Sequence, residues 1–328
     1  MAYNRIYNDS DWELVNRENK DIMEDFLLEY KSRKKKESTL KQYRNDLRII
    51  LIYILKNCDN KSITDLSKKD FRRLSLWFSD DLEVSNARTN RLMSCVRSLL
   101  TFVEDEDEYD YDNNVAKKVR GLEKEPVREI VFLTNEEVEA LRDKFMKEER
   151  YKDAMLISLL YDSAARKNEV SQVEKFSFIE GKDATNIVVG KRGKKFPLIY
   201  FDWSKEAFEK YIEQRGEDDI PNLFILGLNE DKRPAKAENI YDWVISWRKD
   251  FLCIFNKKKD FNVHSFRHSA LECYSTGSHY YCKKLGIEQI PLEKLKLIAN
   301  HNSVETTAGY LQDKSTEVLE ELFGIKIN

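Results

Sequence analysis

The second half of the chain spaces out side chains that could carry chemistry: Arg166, the basic run Gly190-Lys-Arg-Gly-Lys-Lys195, His264 with Arg267, His301 and Tyr310. Two arginines can clamp both non-bridging oxygens of a phosphodiester through bidentate hydrogen bonds. Fixed donors of this kind also stabilise the charge that builds on a five-coordinate phosphorus. A tyrosine hydroxyl, with a free pKa near ~10, attacks phosphorus once its proton is removed and its phenolate stabilised. A lysine from the basic run can then protonate the departing sugar oxygen. Such a set performs phosphoryl transfer with no cofactor and no metal. The chain has no HExxH, no phosphate-cradling P-loop, no GxSxG and no aspartate cluster suited to two metals.

These residues need elements to bring them together. The run Leu297-Ile-Ala-Asn-His-Asn-Ser-Val-Glu-Thr-Thr-Ala-Gly-Tyr310 reads as helix, tight turn, helix. Asn300 stands where the first helix should stop, and Asn tolerates the left-handed conformation of such a stop. Ser303 is a good N-cap for the second helix. The pattern puts His301 in the turn and Tyr310 on the second helix. His264 and Arg267, at i and i+3, project from one helix face, while His268 falls on another face with a structural role. Asp162 or Ser163 can end one helix and cap the next, which sets Arg166 in its first turn or two. Two short apolar runs in residues 186–200 flank the glycines and cations, a β-hairpin with a basic tip. Lys191, Arg192 and Lys194 on that tip suit a phosphate-facing loop.

The first half is helical by pattern. Residues 1–16 have no clear period and read as a flexible arm. Ile22, Phe26, Leu27 and Tyr30 then recur at helical spacing. A helix capped by Ser38 has Leu40, Tyr43, Leu47, Ile50, Leu51, Ile54 and Leu55 on one face and Lys41, Arg44 and Arg48 on the other. A third helix follows Ser67, and a fourth starts near Ser85 with Arg88, Arg91 and Arg97 outward. These make a helical domain over residues 17–114. Residues 115–131, charged and carrying Pro126, read as a linker. Thr134-Asn-Glu-Glu137 is a capping-box signature that opens a second domain, residues 132–328, ending in a short apolar helix with Val318, Leu319, Leu322, Phe323 and Ile325.

Composition sets outer bounds. The 328 residues are 41% hydrophobic and 35% charged, which fits a globular chain with a very polar surface and room for two cores. No apolar run reaches the ~18 residues of a membrane span, and the N-terminus lacks a secretory core, which points to the cytoplasm. Five cysteines without CxxC pairing read as reduced, buried thiols. The net charge is -3, but Glu104 to Asp112 carries seven acids, leaving the rest of the chain at about +4. That run reads as a solvated loop.

The motifs also carry a family resemblance. Ala165-Arg-Lys-Asn-Glu169 resembles the LRxSE box of the tyrosine recombinases, Val189-Gly-Lys191 resembles their hairpin lysine motif, and His264-Ser-Phe-Arg267 matches HxxR. His301 and Tyr310 have the family's nine-residue separation. Nearly the whole chain is similar to the two-domain Cre and Xer layout. The resemblance implies a mainly α fold: a helical, SAM-like core-binding domain, then a mixed α/β catalytic domain with a small β-hairpin. It implies that Tyr310 is the nucleophile, making a 3′-phosphotyrosyl bond and freeing a 5′-hydroxyl. Arg166 and Arg267 would bind the scissile phosphate, and Lys191 would be the general acid, with Lys194 and Lys195 one register slip away. His264 and His301 would donate to phosphate oxygens or handle the tyrosine proton, with Glu169 orienting an arginine or a histidine. Lys41, Arg44, Arg88, Arg91, Arg97, Arg192 and Lys194 would contact DNA. The partner would be double-stranded DNA with inverted-repeat half-sites, held by a tetramer on two duplexes in the nucleoid, the C-terminal helix docking on a neighbouring copy. No arm-binding domain precedes the first helix, which favours a simple recombinase over a long phage integrase. The sequence departs from the family at Ala164-Ala165 in place of Gly-Leu, at Asn168 in place of Ser, and at Ala299-Asn300 in place of Leu-Gly. A type IB topoisomerase or a telomere resolvase would share the chemistry, whereas a regulator that kept the fold and lost catalysis would bind DNA only.

Overall fold

The computed structural model describes residues 6–123, 130–178, 182–227 and 231–312. Contacts divide the chain into two units, Met1–Glu129 and Ile130–Asn328.

Among the described residues of the first unit stand the α-helices α1 (Asp9–Leu14), α2 (Arg17–Ser32), α3 (Glu37–Asn57), α4 (Lys68–Leu76) and α5 (Asn86–Asp105). α3 is central because it is apolar nearly all round over Ile49–Ile54, and every one of those side chains is buried. Ile22 and Phe26 of α2, Phe71 and Leu74 of α4, and Leu92, Val96, Leu99 and Val103 of α5 close over it. α3 starts at Glu37 after Lys36 with no side-chain cap, so Ser38 lies inside it and does not cap it, but α4 and α5 start at their caps. Ser67 and Asp70 form a reciprocal capping box on α4, and Ser85 Oγ accepts from the Arg88 amide at 3.4 Å on α5.

Two stretches differ from the sequence expectation. The supposed arm contains α1, capped by Asn8 Oδ1, which accepts from the Asp11 amide at 2.8 Å. Tyr7 and Trp12 hold this segment by facing the Arg48 guanidinium at 5.1 and 5.2 Å, a cation–π contact that a hydrophobic-period search cannot register. The first part of the supposed linker belongs to the first core. Val115–Lys118 forms a 3-10 turn, Ala116 and Val119 are buried, and Asn90 exchanges two hydrogen bonds with the backbone of Leu122, both 2.8 Å.

The second unit is assembled round α7 (Tyr151–Ser163), buried along its whole length from Ala154. α6 (Asn135–Lys147), α9 (Asp202–Arg215) and α12 (Val263–Ser275) pack against it. Thr134 and Glu137 start α6 with a capping box, as the motif requires. The short α8 (Lys167–Val170) leads to the antiparallel hairpin β1 (Ala184–Val189) and β2 (Lys195–Ile199). A second two-stranded sheet, β3 (Ile225–Leu226) with β4 (Arg233–Pro234), precedes α10 (Ala237–Ser246) and α11 (Arg248–Phe255); strands this short leave no readable alternation. α13 (Tyr280–Leu285), α14 (Leu292–Ile298) and α15 (Val304–Ala308) complete the described chain.

Asp162 does not cap the next helix. It is fully buried, accepts from the Phe201 amide at 2.9 Å, Ser204 Oγ at 2.6 Å and Tyr280 Oη at 2.8 Å, and so ties α7 to α9 and α13. Burial raises its pKa to about 6 against those hydrogen bonds. Four of the five cysteines are buried thiols, but Cys253 is exposed. The apolar residues Val318 to Ile325 lie outside the described residues.

Candidate active site

α7 ends at Ser163 because Ala164 turns left-handed, with φ 49°. Arg166 therefore does not enter a helix; it is the extended N-cap of α8. Glu169 fixes it twice, accepting the Arg166 amide at 2.8 Å and Nη1 at 2.9 Å. That carboxylate is only 2% exposed, so the pair is better placed to hold geometry than a surface ion pair. The hairpin brings Lys191, Arg192 and Lys194 to its tip, where Arg192 itself adopts φ 61° and Gly193 φ 77°. Lys194 Nζ donates to the Asn300 carbonyl at 3.1 Å, linking the tip to the turn that carries His301.

That turn has the expected construction. Asn300 has φ 53°, and the amides of Asn300 and His301 return to the carbonyls of Leu297 and Lys296 at 3.1 and 3.0 Å, a Schellman stop. Ser303 Oγ accepts from the Thr306 amide at 3.2 Å and starts α15. Tyr310 is not on that helix. α15 stops at Ala308, and Tyr310 occupies a following turn whose amide bonds the Thr307 carbonyl at 2.9 Å.

His264 and Arg267 do not share one exposure. Arg267 is 1% exposed, whereas His264 opens to solvent. The helical period explains this: i+3 is rotated by about -60° and i+4 by about +40° from the starting residue. The residue that faces with His264 is thus His268, their rings 4.8 Å apart. The sequence reading placed His268 on another face, and here the structure corrects it. His268 stacks on the Tyr310 ring at 4.4 Å and 25°, and its Nδ1 donates to the Tyr310 carbonyl at 2.9 Å. His264 and His301 approach the same ring at 5.2 and 4.8 Å, and the Arg267 guanidinium lies 5.1 Å from its centroid.

Arg267 is the hub beneath the tyrosine. Its Nη1 donates to the Ala164 carbonyl at 2.5 Å, and its Nη2 to the Ala299 carbonyl at 2.6 Å and to His301 Nε2 at 2.7 Å. The left-handed Ala164 and the end of α14 are thereby pinned to one side chain. A guanidinium only donates, so His301 Nε2 accepts and the proton sits on Nδ1, which faces Thr307 Oγ1 at 3.1 Å. Among the described residues Arg267 Nε is buried with no hydrogen-bond partner.

Arg166, Lys191, Arg192, Lys194, His264, His301 and Tyr310 line a single cleft of about 550 Å³ with Phe196, Asn300, Asn302 and Thr306. Among the described residues no carboxylate lines it. Burial first, and neighbouring cations second, lower the pKa of His264 to about 4 and of His301 to about 3. The same causes lower Arg267 to about 10. The cleft thus penalises additional positive charge, and an entering phosphate would relieve that penalty.

The arginines assigned to DNA in the first unit behave differently from a solvated row. Arg88 makes a bidentate pair with Asp46 at 2.5 and 3.1 Å, and Arg91 bonds the same carboxylate at 3.1 Å. Asp46 is 2% exposed, so α3 organises two arginines of α5 from beneath. Arg97 is half-buried against the Val119 carbonyl, and Arg44 pairs with Glu24 at 3.1 Å. Lys41 remains exposed.

A model of the phage integrase family matches residues 131–317, more than half of the chain. A tyrosine recombinase of Thermosipho africanus is 25% identical over 284 residues, covering 85% of this chain and 90% of its own. The SPbeta prophage-derived recombinase-like protein YomM of Bacillus subtilis is 24% identical over 315 residues, covering 91% and 88%. Among solved structures, a lambda integrase dimer bound to a COC′ core site has a TM-score of 0.66 at 15% identity, covering 90% of this chain and 95% of that one. XerH bound to a palindromic difH substrate gives 0.65 at 17% identity, covering 90% and 82%. At these identities the structural likeness speaks for the fold.

Proposed function

The chain belongs to the phage integrase family, and from that premise we propose that it is a site-specific DNA recombinase that cuts and rejoins strands through Tyr310. One observation carries the reading. The Tyr310 ring is lodged between His264, His268 and His301, above the buried Arg267, at the wall of a cationic cleft that also holds Arg166 and Lys191.

In the proposed step the Tyr310 Oη–P bond forms as the P–O5′ bond breaks, leaving a 3′-phosphotyrosyl bond and a 5′-hydroxyl. Arg166, aimed by Glu169, and Arg267 bind the non-bridging oxygens. His264 is neutral near pH 7 and has the ring nitrogen to accept the phenol proton. His301 holds Arg267 in place through Nε2. Lys191 delivers the proton that O5′ takes as it leaves. Lys194 is engaged with the Asn300 carbonyl, which favours Lys191 for this role. The bond energy stays in the phosphotyrosyl ester, so the reverse attack by a 5′-hydroxyl on another strand completes exchange.

The wider assignment follows from the same reading. The substrate is double-stranded DNA with inverted-repeat half-sites, gripped by the helical unit and by the second unit, four copies acting on two duplexes in the cytoplasm. Among the described residues no helix is long and apolar enough to cross a membrane. The test is covalent capture. Nicked duplexes with a randomised core are incubated with the protein and denatured, and the strands that remain attached are sequenced. The account predicts a recovered core with dyad-related flanks that then supports exchange between two duplexes. Salt-sensitive binding with no covalent product would mark a DNA-binding regulator. Relaxation of supercoiled plasmid without exchange of partners would mark a topoisomerase.

A further inference from the structure

Among the described residues β1 and β2 form a sheet of two strands, and one edge of β1 has no strand partner there. Gly190 donates across the hairpin to the Lys194 carbonyl at 2.8 Å. Alternation then turns the N–H and C=O of the preceding residue, Val189, to the open edge. The side-chain amide of Gln172 meets both. Gln172 Oε1 accepts from the Val189 amide at 2.9 Å, and Nε2 donates to the Val189 carbonyl at 3.1 Å. Nε2 also donates to the Asn168 carbonyl at 2.5 Å, which fixes the amide against α8. The Gln172 backbone is held in turn, its carbonyl accepting from Asn186 Nδ2 of β1 at 3.1 Å.

A single side chain thus replaces a third strand at the residue two before Lys191. Little slack separates that anchor from the lysine. A Cβ added to Gly190 would lie 2.7 Å from the Phe196 ring, so the backbone between Val189 and Lys191 runs tight against β2. Glu169, which aims Arg166, lies three residues before Gln172 on the same short segment. We infer that Gln172 is a positioning residue for Lys191, holding the lysine-bearing strand in register with the segment that carries Arg166. The inference rests on the reading of Lys191 as the proton donor to O5′.

The chemistry of the leaving group separates this role from a merely structural one. With sulfur in place of O5′, the P–S bond breaks to give a thiolate, whose conjugate thiol has a pKa near ~8.5, and no proton need be delivered. The probe is the duplex recovered by covalent capture, made with oxygen and with sulfur at the scissile 5′ position. General acid catalysis contributes roughly 10²–10⁴-fold, and a displaced donor forfeits part of that, so Gln172→Ala should cleave the oxygen duplex about tenfold more slowly than the parent. On the sulfur duplex it should come within about twofold of the parent, as should Lys191→Ala. Gln172→Glu, which keeps the acceptor for the Val189 amide but turns an anion towards two carbonyls, should lie between parent and Gln172→Ala on oxygen and be rescued equally by sulfur. Equal slowing of Gln172→Ala on both duplexes while Lys191→Ala is rescued, or no slowing on oxygen, would overturn the inference. A Lys191→Ala defect that sulfur does not rescue would instead overturn the role of Lys191, and this inference with it.

Discussion

His301 offers a prediction whose size follows from the structure. Its ring is 5% exposed, accepts from Arg267 and donates to Thr307, and burial beside Arg267 and Arg166 lowers its pKa to about 3. In the unfolded chain a histidine titrates near ~6.5. Between those values the unfolded state binds a proton that the native state refuses, so stability falls as pH drops below about 6.5. At about pH 5 the native state forfeits RT ln(1 + 10^1.5), or about 2 kcal/mol, at this one site, and at about pH 7.5 almost nothing. His301→Asn removes the titration. The variant should be less stable than the parent at pH 7.5, because Arg267 and Thr307 lose a partner. That deficit should shrink by about 2 kcal/mol at pH 5. Hydrogen exchange of the α7 amides reads global opening of the second unit, and the comparison between proteins cancels titrating groups that do not interact with His301, Asp162 among them. A deficit that is the same at both pH values within about 0.5 kcal/mol would refute the burial and proton inventory assigned to His301.

Other perturbations test separate parts of the account. Gly190→Ala places a methyl against the Phe196 ring at 2.7 Å and should slow cleavage at least about tenfold, with duplex affinity held within about twofold in a filter-binding titration. Arg88→Ala leaves the buried Asp46 short of its bidentate partner and should lower stability by about 3 kcal/mol in urea unfolding. Lys41→Ala, by contrast, should leave stability unchanged and reduce the salt slope of DNA binding by about 1. His268→Phe keeps the ring on Tyr310 but loses the hydrogen bond to its carbonyl, and His268→Asn does the reverse. If both contacts seat the nucleophile, each variant should slow adduct formation in a single-turnover assay, and His268→Ala should slow it more than either.

Much of the site could be read from local rules, and the rest depends on packing. Ser67, Ser85, Thr134 and Ser303 announce helix starts because a cap acts over three or four residues. Asn300 announces a stop for the same reason, and the glycines and cations from Gly190 announce a hairpin tip. The burial of Arg267 could not be read that way, since its partners Ala164 and Ala299 lie far off in the chain. His268 was misassigned because i+3 and i+4 are both helical neighbours, and only the packed helix says which side faces the tyrosine. Arg88 and Arg91 read as outward on the α5 wheel, but Asp46 on α3 captures them. The Gln172 amide left no signal, because a side chain standing in for a strand has no sequence period.

The central claim is that Tyr310 becomes covalently joined to DNA. The measurement is mass spectrometry of the protein recovered from a nicked duplex under denaturing conditions, digested with nuclease and protease. The account predicts a nucleotide remnant on the peptide that contains Tyr310, formed equally in EDTA and absent in Tyr310→Phe. A remnant on any other residue, or adduct undiminished in Tyr310→Phe, would contradict it.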